Sequence, residues 1–302
     1  MRVGILLAEP SGPDPRGQLR DQIQRAADDG LASAWLSNIF GVDALTALAA
    51  AGCGVPGIEL GTAVMPTYPR HPAALAQQAL TAAAMLDGRL TLGVGPSHRM
   101  VIEDMFGYSF EKPIRHLREY LAVLVPLLAG NPADFTGETL QAKIGLSVPL
   151  PGRVPLLLAA LGPRLLKLAG EQADGTVLWM TGPATVAAHI TPSITAAARA
   201  AGRGDPRIVC ILPVCVTSDP DKARARAARI FAVYGQLPSY RAMLDREGAA
   251  GPADVALTGD EDTVGGQVSR LAEAGVTDFV ASEFGRGEDA GRTRAFLRTL
   301  TA

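Results

Sequence analysis

The run Arg2-Val3-Gly4-Ile5-Leu6-Leu7 passes at once into Ala8-Glu9-Pro10-Ser11-Gly12-Pro13. A short apolar segment that stops at an acidic residue and a set of turn formers reads as a buried strand leaving through a loop. A doubly wound nucleotide-binding sheet would place G-x-G-x-x-G here, because glycine lets a pyrophosphate approach the backbone at a helix N-terminus. That fingerprint is absent, so the first strand points to a different α/β architecture.

Beyond it the chain alternates short apolar runs with segments of helical period. Strands are expected over Val3–Ala8, Ser33–Ser37, Ile58–Met65, Leu90–Val94, Val154–Ala160, Thr176–Met180, Ile208–Val216 and Asp278–Ser282. Between them, Leu19, Ile23, Ala27 and Leu31 share one helical face, as do Leu75, Ala79, Ala82 and Leu86, and Ile114, Leu117, Leu121, Leu124 and Leu128. Asp43 is placed to cap the helix that follows it, its carboxylate accepting first-turn N–H groups. Further helices are read near Pro163–Gln172, from Asp221 onward, and near Tyr240–Arg246. Eight strands, each followed by a helix, is the arithmetic of a (β/α)8 TIM barrel, here a single domain over 1–302. The pattern dissolves over about 131–152, after strand four, into an excursion read as a small hairpin around Phe135, Leu140, Ile144 and Leu146.

Composition narrows the function. With 28 Lys+Arg against 30 Asp+Glu the chain lacks the basic excess of a nucleic-acid binder. No uncharged apolar stretch reaches the roughly 18 residues of a membrane span. Cys53, Cys210 and Cys215 form no C-x-x-C pair and no disulfide framework, so a cytoplasmic setting is expected.

In such a barrel the chemistry lies at the carboxyl ends of the strands. That rule nominates Glu9, Asn38, Met65, Tyr68, His98, Arg164, Trp179 and Thr181, among others. His98 is the sharpest of the four histidines, since imidazole titrates near neutrality and His98 follows Gly93-x-Gly95, where absent side chains would let a flat ligand approach. The plainer alternative is that both glycines shape a turn and His98 caps a helix. Glu9 could exchange a proton if burial raises its pKa, or be a solvated loop carboxylate. Met65, Tyr68 and Trp179 are candidate walls of an apolar substrate pocket, or barrel packing. The segment Ala160-Leu161-Gly162-Pro163 enters a helix whose first turns carry Arg164 and Lys167, an arrangement that would suit a phosphate. No metal-ligand spacing, G-x-S-x-G elbow or Walker loop is present.

Several motifs in order carry a resemblance: Leu60-Gly61-Thr62-Ala63-Val64, Arg70-His71-Pro72-Ala73-Ala74-Leu75-Ala76-Gln77, Gly88-Arg89-Leu90-Thr91-Leu92-Gly93-Val94-Gly95, and Ala159-Ala160-Leu161-Gly162-Pro163 with Ala173-Asp174-Gly175. The set resembles the bacterial luciferase-like superfamily over nearly the whole chain, and within it the branch using the deazaflavin coenzyme F420. The resemblance implies a barrel with an insertion and an oxidoreductase passing hydride between F420 and a small organic substrate. It implies a cis peptide at Ala63–Val64 beside the ring and Asn38 near that ring. Gly162, Leu161 and Thr181 would hold the phosphate, with Ala160, Pro96 and Ser97 completing the coenzyme site. His98 and Glu9 are the implied proton-exchanging residues, Glu9 resembling the strand-one glutamate of the methylene-tetrahydromethanopterin reductase branch. A homodimer is implied too. Ile39 departs from the dehydrogenases of the family, which carry a histidine there, so reduction of an activated double bond or imine fits better. The alternatives are a reduced-FMN monooxygenase and a flavin- or deazaflavin-binding barrel without turnover.

Overall fold

The computed structural model describes residues 1–149 and 152–301, so positions 150 and 151 of the expected excursion, and residue 302, lie outside the described residues. Strands Arg2–Leu6, Ser33–Leu36, Glu59–Thr62, Leu90–Gly95, Leu156–Leu158, Gly175–Trp179, Arg207–Val216 and Asp278–Glu283 pair in parallel in that order. The last returns to the first through Val3↔Phe279 and Gly4↔Val280, so the chain is a closed (β/α)8 barrel.

Strands in such a ring are covered on both sides, which is why they read as apolar runs rather than as alternations. Leu90–Gly95 is buried throughout. Trp35, Leu157, Val177, Val209, Ile211 and Val280 fill the interior, while the larger core lies between the ring and its helices. Gly61 is glycine because Trp35 lies across it: an added Cβ would stand 2.3 Å from the indole Cε3. At the amino-terminal end Arg207 binds Asp278 at 2.6 Å and Glu59 at 2.7 Å, a network that closes the floor.

Capping sets where the helices begin. Asp43 takes the Thr46 N–H at 2.9 Å to start Ala44–Gly52, and His71 Nδ1 takes that of Ala73 at 3.2 Å to start Pro72–Met85. The excursion holds an antiparallel hairpin, Ala133–Thr136 with Gln141–Ile144, tied to helix Pro113–Leu128 by Glu119, which accepts from the N–H groups of Glu138 and Thr139.

The third strand departs from the expected 58–65. It leaves the ladder after Thr62, and Met65–Pro66 then pairs separately with Val94–Gly95. The intervening Ala63–Val64 peptide is cis. This step also gives Gly93 and Gly95 their reason. A Cβ on Gly93 would lie 2.1 Å from the Thr62 carbonyl oxygen, and one on Gly95 would lie 2.9 Å from Val64 Cγ2. Gly93 receives the neighbouring strand rather than a ligand, while Gly95, packed against Val64, also borders the cavity described below. An unexpected short strand, Leu257–Gly259, extends the sheet beside Val214–Val216.

Candidate active site

A cavity of about 1310 Å³ opens at the carboxyl ends of the strands. Small-molecule sites usually occupy roughly 300–1,000 Å³, so this one has room for two molecules side by side. Glu9, Asn38, Ala63, Val64, Ser97, His98, Leu161 and Trp179 all face it, each from the end of a different strand or the loop just past it, apart from the two adjacent pairs. Among the described residues no three His, Cys, Asp or Glu side chains converge as a metal site.

Local geometry fixes these groups. Asn38 spends its Oδ1 on the Ala44 N–H at 2.9 Å, which leaves the amide NH2 to donate. Ser97 holds φ at 61°, in the left-handed region that L side chains seldom adopt, and this turns the chain so that His98 borders the cavity. Burial lowers the His98 pKa from its ordinary value, so the imidazole is neutral at pH 7. The Glu9 side chain leans on Gly41, where a Cβ would collide with its carboxylate.

A second wall, missed by the strand-end rule, comes from the segment after helix Pro220–Ile230. Phe231, Tyr234 and Tyr240 form an aromatic arc with Trp179 and His98. Ring centroids are 5.5 Å apart for Trp179–Tyr234, 5.4 Å for Tyr234–Tyr240 and 5.5 Å for His98–Tyr240. The indole N–H of Trp179 is buried and meets no acceptor in hydrogen-bonding geometry. Spacing at Tyr240–Arg246 announced a helix, observed as Pro238–Glu247, but no sequence pattern announces which way such a helix folds.

The helix starts after the fifth and sixth strands differ. Helix Pro163–Gln172 begins at Gly162 with no side-chain cap, and a Cβ on Gly162 would meet nothing within 4 Å. The helical run from Pro183 is closed from within, since Glu247 accepts the N–H groups of Ala184 and Thr185. His189 adds support to the open terminus: its Nε2 lies 2.8 Å from the Leu161 carbonyl oxygen.

Other nominated residues lie elsewhere. Met65 is fully buried in the outer core, because the two-residue alternation of a strand turns it away from the cavity. Tyr68 stacks on His116 at 3.9 Å, its hydroxyl pKa pushed up to about 12 by burial, and does not border the cavity. Pro96, Ala160, Gly162 and Thr181 are also outside the cavity wall. Ala160 and Thr181 are buried, and the Thr181 hydroxyl donates to the Trp179 carbonyl at 3.2 Å. Arg164 is exposed, and Lys167 is exposed beside Glu171 at 3.7 Å.

Comparison with known proteins bears on the family and the fold. The family model described as luciferase-like monooxygenase matches residues 1–287. The chain is 26% identical to the 5,10-methylenetetrahydromethanopterin reductase of Methanolobus tindarius over 89% of its own length and 90% of that protein's. It is 29% identical to the F420-dependent glucose-6-phosphate dehydrogenase of Mycolicibacterium fortuitum, over 62% of this chain and 58% of the other. In fold it is similar to the coenzyme F420-dependent tetrahydromethanopterin reductase of Methanopyrus kandleri, with a TM-score of 0.82 at 22% identity, covering 99% of this chain and 97% of that one.

Proposed function

The chain belongs to the luciferase-like monooxygenase family, and from that premise we propose that it is an oxidoreductase moving a hydride between coenzyme F420 and a small organic substrate. The observation that carries this reading is one opening that joins an apolar slot, at Ala63, Val64 and Trp179, to Leu161, the residue just before the uncapped helix start at Gly162. A flat, neutral ring system suits the first, and an anionic phosphate suits the second, where unpaired N–H groups and the helix dipole favour negative charge.

When bound, the deazaflavin supplies or accepts the hydride; the protein supplies position and electrostatics. Ala63, Val64 and Trp179 would hold the ring, the Asn38 amide could donate to it, and Leu161, Gly162 and Ser97 would hold the remainder. Thr181 is left out of this set, because its hydroxyl is buried and already donating. His98, neutral through burial, would accept a proton at a ring nitrogen when the substrate is oxidised, and would donate one only from its protonated form when the substrate is reduced. Glu9 is the second proton-exchanging group, at the same mouth.

We read 1–302 as a single barrel domain, and expect a cytoplasmic homodimer, which the family resemblance supports. Among the described residues no helix is long and apolar enough to cross a membrane. Sedimentation of the purified chain tests the dimer.

Titrating the protein with coenzyme F420 and, separately, with FMN tests the coenzyme. Saturable F420 binding at least tenfold tighter than FMN is expected. Tight FMN binding with none of the deazaflavin reverses the assignment in favour of an FMN monooxygenase. F420 binding without turnover on any hydride acceptor favours a binding protein.

A further inference from the structure

Leu161 borders the cavity, and its carbonyl is held by a side chain from the next βα unit. His189 Nε2 lies 2.8 Å from that oxygen. A carbonyl only accepts, so Nε2 carries the hydrogen, and it keeps that hydrogen whether the ring is neutral or protonated.

The bond fixes a whole peptide plane. The C=O of Leu161 and the N–H of Gly162 belong to one planar trans unit and point opposite ways. Holding the carbonyl on His189 therefore aims the Gly162 N–H away from His189, and that N–H donates to no group among the described residues. Pro163 has no N–H, so the next donors are those of Arg164 and Leu165, which open the helix without an intrahelical acceptor or a side-chain cap. A peptide ending in glycine turns over easily, because glycine tolerates positive φ. Gly162 holds φ at −79°, which any residue could adopt, so its own backbone does not secure this orientation. His189 does.

The support behind His189 is rigid. It sits in the widened, π-type turn Val186–Ile190 of the helical run after the sixth strand, a backbone form that recurs at functional sites. Glu247 holds the start of that run, and Thr191 Oγ1 donates to the Ala274 carbonyl at 2.7 Å just past the turn. Near the other end of helix Pro163–Gln172, Gly170 packs bare against the same run: an added Cβ would lie 2.6 Å from the Ile194 carbonyl oxygen. The two neighbouring units are thus joined at both ends, by backbone contact at Gly170 and by the His189 bond at Leu161.

We propose that His189 is a positioning residue for the coenzyme: it locks the Leu161–Gly162 peptide so that the Gly162 N–H joins those of Arg164 and Leu165 in receiving the phosphate. The inference rests on the F420 reading that seats a phosphate at this turn, and adds the side chain that keeps the seat in shape.

Fluorescence titration with coenzyme F420 and with its ring-and-ribityl fragment, which lacks the phosphate, tests this on the unaltered chain, His189→Leu and His189→Gln. The glutamine amide retains an N–H donor. His189→Leu is expected to weaken F420 by about fivefold or more, the effect of one misplaced hydrogen bond, and to leave the fragment within about twofold. His189→Gln is expected to recover most of the loss. Equal weakening of both ligands would make His189 a residue of the fold alone and overturns the proposal, as does F420 affinity unchanged in His189→Leu. If His189→Leu does not fold, His189→Met takes its place, and failure of both to fold is the same contrary result. An unaltered chain that binds neither ligand loses the coenzyme reading and this inference with it, whereas one that binds F420 but ignores the substitutions loses the inference alone.

Discussion

Glu247 sets its carboxylate on the backbone N–H of Thr185 at 2.7 Å, and on that of Ala184 at 3.1 Å, so the helix N-terminus beyond the sixth barrel strand is filled by the chain itself. The Thr185 hydroxyl donates to the Met243 carbonyl at 3.2 Å and secures the same junction. Helix Pro238–Glu247, which carries Tyr240, is thus tied to the barrel.

Removing this cap is expected to destabilise the fold. Glu247→Ala leaves two N–H groups without their acceptor and should lower unfolding free energy by about 1 kcal/mol, the usual size of a lost helix cap. Urea denaturation of the variant checks it. Because Tyr240 is positioned through the same helix, coenzyme or substrate affinity should weaken too.

Gly162→Asp is expected to move two properties in opposite directions. The new side chain would accept first-turn N–H groups and stabilise helix Pro163–Gln172 by a few tenths to about 1 kcal/mol. It would also put a carboxylate where the phosphate is proposed to sit, so F420 affinity should fall at least tenfold. Thermal unfolding and coenzyme titration of one sample read both.

The ring of strands was legible because strands buried on both faces are apolar runs, and most were followed by a helix-period segment whose start had a Pro or an Asp to mark it. Glu9, Asn38, His98 and Trp179 could be found from the single rule that reactive groups lie past strand ends. Met65 was not judged correctly because the strand was read as continuous over 58–65, whereas it leaves the ladder after Thr62 and Met65–Pro66 pairs separately. Gly93 was misread for a related reason. Its missing side chain is required by the Thr62 carbonyl of the adjacent strand, a contact between segments that no local pattern encodes. Tyr234, Tyr240 and Glu247 were invisible as site residues because helix–barrel docking is a long-range event.

Gly93→Ala is therefore a packing change, not a ligand-site change. Its Cβ would stand 2.1 Å from the Thr62 oxygen, which backbone alone can relieve. Overpacking of this kind costs about 1–3 kcal/mol, and the loss should appear in denaturation of the chain without coenzyme.

Acid should weaken the fold through His116. Burial lowers its pKa to about 4, with the Thr67 hydroxyl 2.9 Å from its Nε2. The unfolded chain binds a proton near pH 6.5 and the folded one does not, so stability is full above that value and falls as pH drops from 6.5 toward 4. His116→Gln should flatten the dependence of denaturation midpoint on pH across that window.

His98 is also depressed by burial, so its NMR titration should have a midpoint below 6.5 in the free protein. Reduction of a substrate, which needs the protonated imidazole as donor, should decline on the alkaline side of that midpoint, and His98→Ala should remove this limb of the pH profile. A profile unaltered by the substitution would assign the proton exchange elsewhere, with Glu9→Gln the next variant to measure.

A crystal structure of the protein with coenzyme F420 addresses the assignment at its root. The deazaflavin ring is expected against Ala63, Val64 and Trp179, with the phosphate on the N–H groups that open helix Pro163–Gln172. A ring lying outside this cavity, or a phosphate bound away from Gly162, would contradict the account.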